Sequence, residues 1–157
     1  MRGQWTRWCS CCALGTKGKT QAARALSNLT GNSDNQVAIT GAGAVKPLVQ
    51  PLHTGDVGGK FMAARALSNL VENSGNQVVI MRAGAVKPLV QLLHTGDAEG
   101  KAQAAQVLSN LSICNSDNQV AIARAGAVEP LVQLLRTGDA AGNTIMAAWA
   151  LCSLAMN

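Results

Sequence analysis

At 157 residues the chain has room for one modest domain, and Ala, Leu and Val must build its interior, because 48% of it is hydrophobic but only 3% aromatic. Such residues favour helices and let helix axes approach closely, which sets an all-α expectation. The net charge of +5 comes from only 13% charged residues with no basic run, which excludes a nucleic-acid arm, and no apolar stretch is long enough to span a membrane.

The first fifteen residues read as an irregular segment. Arg2 and Arg7 precede an apolar part too short and too interrupted by Ser and Cys for a secretory signal. Cys9, Cys11 and Cys12 crowd this stretch, while Cys114 and Cys152 lie in helical sequence. Five cysteines without an even, spaced framework read as reduced thiols of a cytoplasmic and/or nuclear protein. The three N-terminal thiols lack a second ligand pair at zinc spacing. Acylation of these thiols beside Arg2 and Arg7 would supply one signal where a lipid anchor usually needs two, and Arg2 stands where myristoylation requires glycine.

From Gly18 the sequence GKTQAARALSNL is answered at Gly59 by GKFMAARALSNL, at Gly100 by GKAQAAQVLSNL and near Gly142 by GNTIMAAWALCSL. Between these segments AGAVKPLVQ recurs at Ala42 and Ala83, with AGAVEPLVQ at Ala125. The period of about 41 to 42 residues is that of two- and three-helix solenoid repeats. It divides the repeat domain, 16–157, into a partial repeat over 16–31 and full repeats over 32–72, 73–114 and 115–157.

Each full period reads as three helices. The first begins at Ser33, Ser74 or Ser116, each followed three residues later by Gln36, Gln77 or Gln119. That spacing predicts a capping box, with Ser and Gln side chains satisfying free N–H groups at the helix start. The second helix carries one apolar stripe: Val45, Leu48, Val49 and Leu52, then Val86, Leu89, Val90 and Leu93, then Val128, Leu131, Val132 and Leu135. Pro47 falls in its first turn, where a missing N–H costs little. Pro51, where later copies carry Leu92 and Leu134, falls mid-helix and marks the first full repeat as the weak one. Gly55, Gly96 and Gly138 stop this helix, and Asp56, Asp97 and Asp139 are expected to cap the third. That third helix is the longest, with Ala63, Ala66, Leu67 and Leu70 as its buried face, repeated by Leu26 and Leu29 and by Leu108 and Leu111. Only stacked copies can bury these stripes.

The array shows no polar caps. Ala22, Leu26 and Leu29 can be covered on one side only, and Ile145 to Met156 is apolar around nearly the whole helix. Self-association through these ends is the expectation.

The in-phase short helix, GAVKPLVQ helix, Gly-Asp turn and LSNL helix resemble the armadillo repeat from about Gly18 to the C-terminus. They are most similar to the repeats of U-box/armadillo proteins, vacuolar armadillo scaffolds and importin-α, although nothing resembles a U-box. The resemblance implies an all-α, right-handed solenoid and a non-catalytic scaffold, without a cofactor, that binds a protein or peptide segment in a concave groove lined by third helices. It further implies that Asn28, Asn69 and Asn110, with Ser153 in the fourth copy, face the bound backbone. Four residues earlier, on the same helical face, stand Arg24, Arg65, Gln106 and Trp149. In importin-α the Asn is paired with a Trp that stacks on basic cargo. Here the copies that keep Asn lack Trp and the copy with Trp lacks Asn. Arg24 and Arg65 repel a basic signal and can fork carboxylates, which favours an acidic or neutral partner segment.

The sequence offers two further chemistries. ALGTKGKT, residues 13–20, fits a relaxed phosphate-loop pattern in which Lys19 reaches a nucleotide phosphate and Thr20 binds magnesium. A phosphate loop needs a buried strand before it, and WCSCCAL reads as a poor one with no later strands to pair with; Gly18-Lys19 also recurs as Gly59-Lys60 and Gly100-Lys101, so it belongs to the repeat. His53 and His94 occupy equivalent turns on the order of 10 Å apart, too far for one metal with ligands at about 2 Å. Nucleotide binding, and a fragment of a longer armadillo protein without a role of its own, are the alternatives to a scaffold.

Overall fold

The computed structural model describes residues 15–137 and 141–155. The N-terminal cysteines, Ala13, Leu14, Gly138, Asp139 and Met156 lie outside the described residues. Within them the chain is a succession of ten helices. The short first helices are α2 (Ser33–Gly41), α5 (Ser74–Arg82) and α8 (Ser116–Arg124). The second helices are α3 (Val45–Thr54), α6 (Val86–Thr95) and α9 (Val128–Thr137). The long third helices are α1 (Thr16–Thr30), α4 (Val57–Val71), α7 (Ala98–Ser112) and α10 (Ala141–Ala155). Third helices stack on one another in the order α1, α4, α7, α10, and second helices stack as α3, α6, α9. The result is an α-solenoid whose core runs lengthwise between the two rows.

The helix starts differ from the capping-box expectation. Asn32, Asn73 and Asn115 are the N-caps, and their side-chain oxygens accept from the N–H groups of Asp34, Gly75 and Asn118. Ser33, Ser74 and Ser116 are instead the first helical residues. The glutamines turn the other way: Gln36 Nε2 donates to the Thr30 carbonyl at 3.1 Å, and Gln119 Nε2 to the Ser112 carbonyl at 2.9 Å. Beside them Asn35, Asn76 and Asn118 donate to the carbonyls of Leu29, Leu70 and Leu111. A helix leaves its last carbonyls without partners; here the next helix supplies them as amide donors. Asn outcompetes Ser as the cap because both cap well and Asn stands one residue earlier.

The third helices are capped as the sequence suggests, with Asp56 Oδ1 accepting from the Gly59 N–H at 2.7 Å and Asp97 Oδ1 from the Gly100 N–H at 2.9 Å. The turn from first to second helix places Gly43, Gly84 and Gly126 at φ of +78°, +77° and +86°, a region that L side chains enter only with strain.

In the core, Ala63, Ala64, Ala66, Leu67 and Leu70 of α4 are fully buried, and Leu108 and Leu111 of α7 repeat the pattern. The α3 and α6 stripes are buried throughout, but in α9 Val128 and Val132 are exposed and Leu135 only half-buried. The counterparts of Val128 and Val132 are sheltered where α3 packs on α6 and α6 on α9, and no further second helix covers α9 among the described residues. Leu29 is likewise exposed, whereas its equivalents Leu70 and Leu111 are buried between neighbours. Pro51 lies inside α3, buried, and the helix continues through it to Thr54.

Candidate functional site

Lateral hydrogen bonds fix the register of the third helices. Near their N-terminal ends Thr20 Oγ1 donates to Asp56 Oδ1 at 3.0 Å. Near their C-terminal ends Asn69 Nδ2 donates to Thr30 Oγ1 at 3.2 Å and to the Ser27 carbonyl at 3.5 Å. Ser109 Oγ and Ser153 Oγ lie 3.4 Å apart in the α7–α10 pair. Bonds between matching ends make the helices run side by side in the same direction. Equivalent residues therefore form rows across the solenoid, as Arg24, Arg65, Gln106 and Trp149 do, and as Asn28, Asn69, Asn110 and Ser153 do.

Exposure along the two rows is uneven. Arg24, Asn28 and Arg65 are exposed, and Asn69, Gln106 and Asn110 are half-buried. Trp149 is 62% exposed, while Ser153 is buried. Neither arginine forms an ion pair with an acidic side chain among the described residues, so both guanidinium groups are available to an incoming carboxylate.

The row of amides does two jobs. The side chains of Asn28 and Asn110 make no hydrogen bond among the described residues. Asn69 instead spends its NH₂ group on the preceding repeat, leaving its side-chain oxygen as the group free to face a ligand. The backbone carbonyl of Asn110 accepts from Gln77 Nε2 at 3.3 Å, a further bond between repeats. Ser153 Oγ donates to the Trp149 carbonyl at 2.9 Å, which ties the fourth copy's hydroxyl to its own helix. These structural commitments were not read from the sequence. The signal available was Thr30, which places a hydroxyl where the next copy has Val71 and meets Asn69 across the repeat boundary.

The segment that resembled a phosphate loop is helical from Thr16, and the N–H groups of Gly18 and Lys19 both bond to the Gly15 carbonyl. Those amides close a helical turn rather than lining an open cradle, and Thr20 is bonded to the α4 cap. Among the described residues, no group of three His, Cys, Asp or Glu side chains could hold a metal ion. No helix among them is long and apolar enough to cross a membrane.

The model for the armadillo/β-catenin-like repeat matches residues 32–72, 73–113 and 115–156. No curated protein matches the chain significantly. Among solved structures, an engineered protein is 32% identical with a TM-score of 0.84, over 98% of this chain and 63% of that one. A designed armadillo repeat protein in complex with the peptide (KR)4 is 27% identical with a TM-score of 0.81, over 96% of this chain and 64% of that one. Computationally designed armadillo repeat proteins for modular peptide recognition are 26% identical with a TM-score of 0.82, over 88% of this chain and 59% of that one. The chain spans less than two thirds of the length of each of these. Three in-phase matches over most of the chain, on a solenoid with the same three-helix unit, place it in the armadillo/β-catenin-like repeat family.

Proposed function

We propose that the chain is a non-catalytic scaffold that holds a segment of a partner protein along the face made by its third helices. Arg24, Asn28, Arg65, Asn69, Gln106, Asn110, Trp149 and Ser153 form the two rows that meet the partner. The observation that carries this reading is the pair of exposed arginines one repeat apart beside an exposed Asn28. Unpaired cations and a free amide in register suit a partner that brings carboxylates and a backbone to bond. Two designed relatives support peptide holding, one in complex with (KR)4 and one made for modular peptide recognition. The arginines here oppose a basic peptide, so the partner segment is acidic or neutral.

The test is an affinity pull-down with wild type beside Asn28→Ala and the triple variant of Asn28, Asn69 and Asn110. Asn28→Ala should weaken capture while leaving the helical circular dichroism signal intact, because its side chain makes no hydrogen bond among the described residues. Binding should also weaken as salt rises. Capture that survives the triple variant would sink the reading. Self-association is a second use of exposed apolar surface, with Ile145 at 48% and Trp149 at 62% exposure on α10. Sedimentation at rising protein concentration checks it, and a monomer throughout rejects it.

A further inference from the structure

The third-helix face is not uniform along the solenoid. Its first two helices carry exposed Lys17, Arg24 and Arg65 and no acidic side chain in the corresponding rows. On α7 the row that begins with Lys17 holds exposed Glu99 instead, and the arginine row changes to Gln106. On α10 that row ends in Trp149, whose indole is among the most exposed large apolar groups in the described residues. Cation, cation, neutral, indole is thus the order of side chains met along that row.

We infer that the partner segment is two-part: carboxylates seated over α1 and α4, and an aromatic or aliphatic side chain seated on Trp149 of α10. The inference rests on the third-helix face being the binding surface and specifies what it selects. Charge complementarity assigns the first part, since Glu99 repels a carboxylate placed over α7 while Arg24 and Arg65 attract one. Stacking on an exposed indole assigns the second. The spacing follows from geometry. Packed helices lie about 8–10 Å apart and an extended chain advances about 3.3 Å per residue. Neighbouring third helices are then about three residues apart along a bound chain, so the two carboxylates fall about three residues apart and the apolar residue about six beyond the second.

The experiment uses the full chain and fluorescently labelled ten-residue peptides of Gly and Ser. One carries Asp at its first and fourth positions and Phe at its tenth; its isomer has the Phe moved between the two Asp. Each is made in both chain directions, because the face does not fix the direction of threading. The better ordered peptide should bind at least tenfold tighter than its isomers. Trp149→Ala should bring that ratio to about one with helicity unchanged, and Arg65→Glu should weaken both peptides and flatten their salt dependence. Equal binding of all four peptides, no binding of any, or a ratio that survives Trp149→Ala overturns the inference. If equal binding is still lost in Arg65→Glu and Asn28→Ala, the face remains the binding surface and only its two-part selectivity is rejected. If it is lost in neither, the binding surface itself is wrong.

Discussion

Gln119 Nε2 donates to the carbonyl of Ser112 at 2.9 Å, so a side chain in the first helix of one repeat closes the last helix of the repeat before it. Its Oε1 is buried with no partner among the described residues, and the amide therefore contributes through its donor alone. Ser112 is fully buried, and removing that donor leaves its carbonyl only the longer bond from the Asn115 N–H at 3.4 Å. Gln119→Ala should cost about 0.5–1.5 kcal/mol in chemical denaturation. A loss within experimental error would show that water replaces the bond.

The same junction separates two readings of the helix start. With Asn115 as the cap, Asn115→Ala should cost about 1 kcal/mol, while Ser116→Ala, at an exposed first-turn position, should change stability by less than about 0.5 kcal/mol. The opposite ranking would restore the serine capping box.

Pro51 has no N–H, so the Pro47 carbonyl one turn earlier lacks its helical partner. Its equivalent Leu92 is buried at 3% exposure in an otherwise matching helix. Pro51→Leu should raise the melting temperature, with up to about 3 kcal/mol available from the restored helix interior. An unchanged or lower melting temperature would show that α3 carries no penalty at this position.

Gly96 ends α6 with its N–H on the Leu92 carbonyl at 2.8 Å. A Cβ at Gly96 would stand 2.6 Å from that same carbonyl oxygen and 2.8 Å from Leu92 Cδ1. Gly96→Ala should therefore destabilise by about 1–3 kcal/mol, as overpacking does. Gly41 is the contrast, because it is the last residue of α2 and a Cβ there meets nothing within 4 Å. Gly41→Ala should stabilise by about 0.5–1 kcal/mol. Thermal melts of the two variants should move in opposite directions.

Cys114 is the one residue other than glycine with positive φ among the described residues, at +52°. The left-handed region costs an L residue on the order of 1–2 kcal/mol, part of which glycine returns as unfolded-state entropy. Cys114→Gly should raise stability by up to about 1 kcal/mol, whereas Cys114→Ala should leave it unchanged. A loss on going to glycine would mean that the exposed thiol makes a contact worth more than the strain.

Much of this architecture was legible in the sequence because the repeat copies its own signals. The Asp56 and Asp97 caps, the α3 and α6 stripes and the buried Leu67 and Leu70 all follow from residue type and period. Ser33 to Gln36 misled because the S-x-x-Q spacing is the same whether Gln turns back to its own helix start or across to the helix before. Only the placement of α1 beside α2 decides between them. The double duty of Asn69 was hidden for a similar reason, since its partner Thr30 lies 39 residues away and belongs to another repeat. Exposure of Val128 and Val132 depends on what lies beyond α9, which no periodicity within α9 reports.

The junction after α7 holds one residue more than those after α1 and α4, and its amide bonds reach back seven residues rather than six: Asn118 to Leu111 and Gln119 to Ser112, against Asn76 to Leu70 and Gln36 to Thr30. The left-handed backbone at Cys114 takes up the difference, and Ile113 is pushed outward at 51% exposure. Both clasping bonds survive the change in length. The seam between repeats therefore works as a slack joint in the stack, a place where chain can be added without moving the helices on either side out of step.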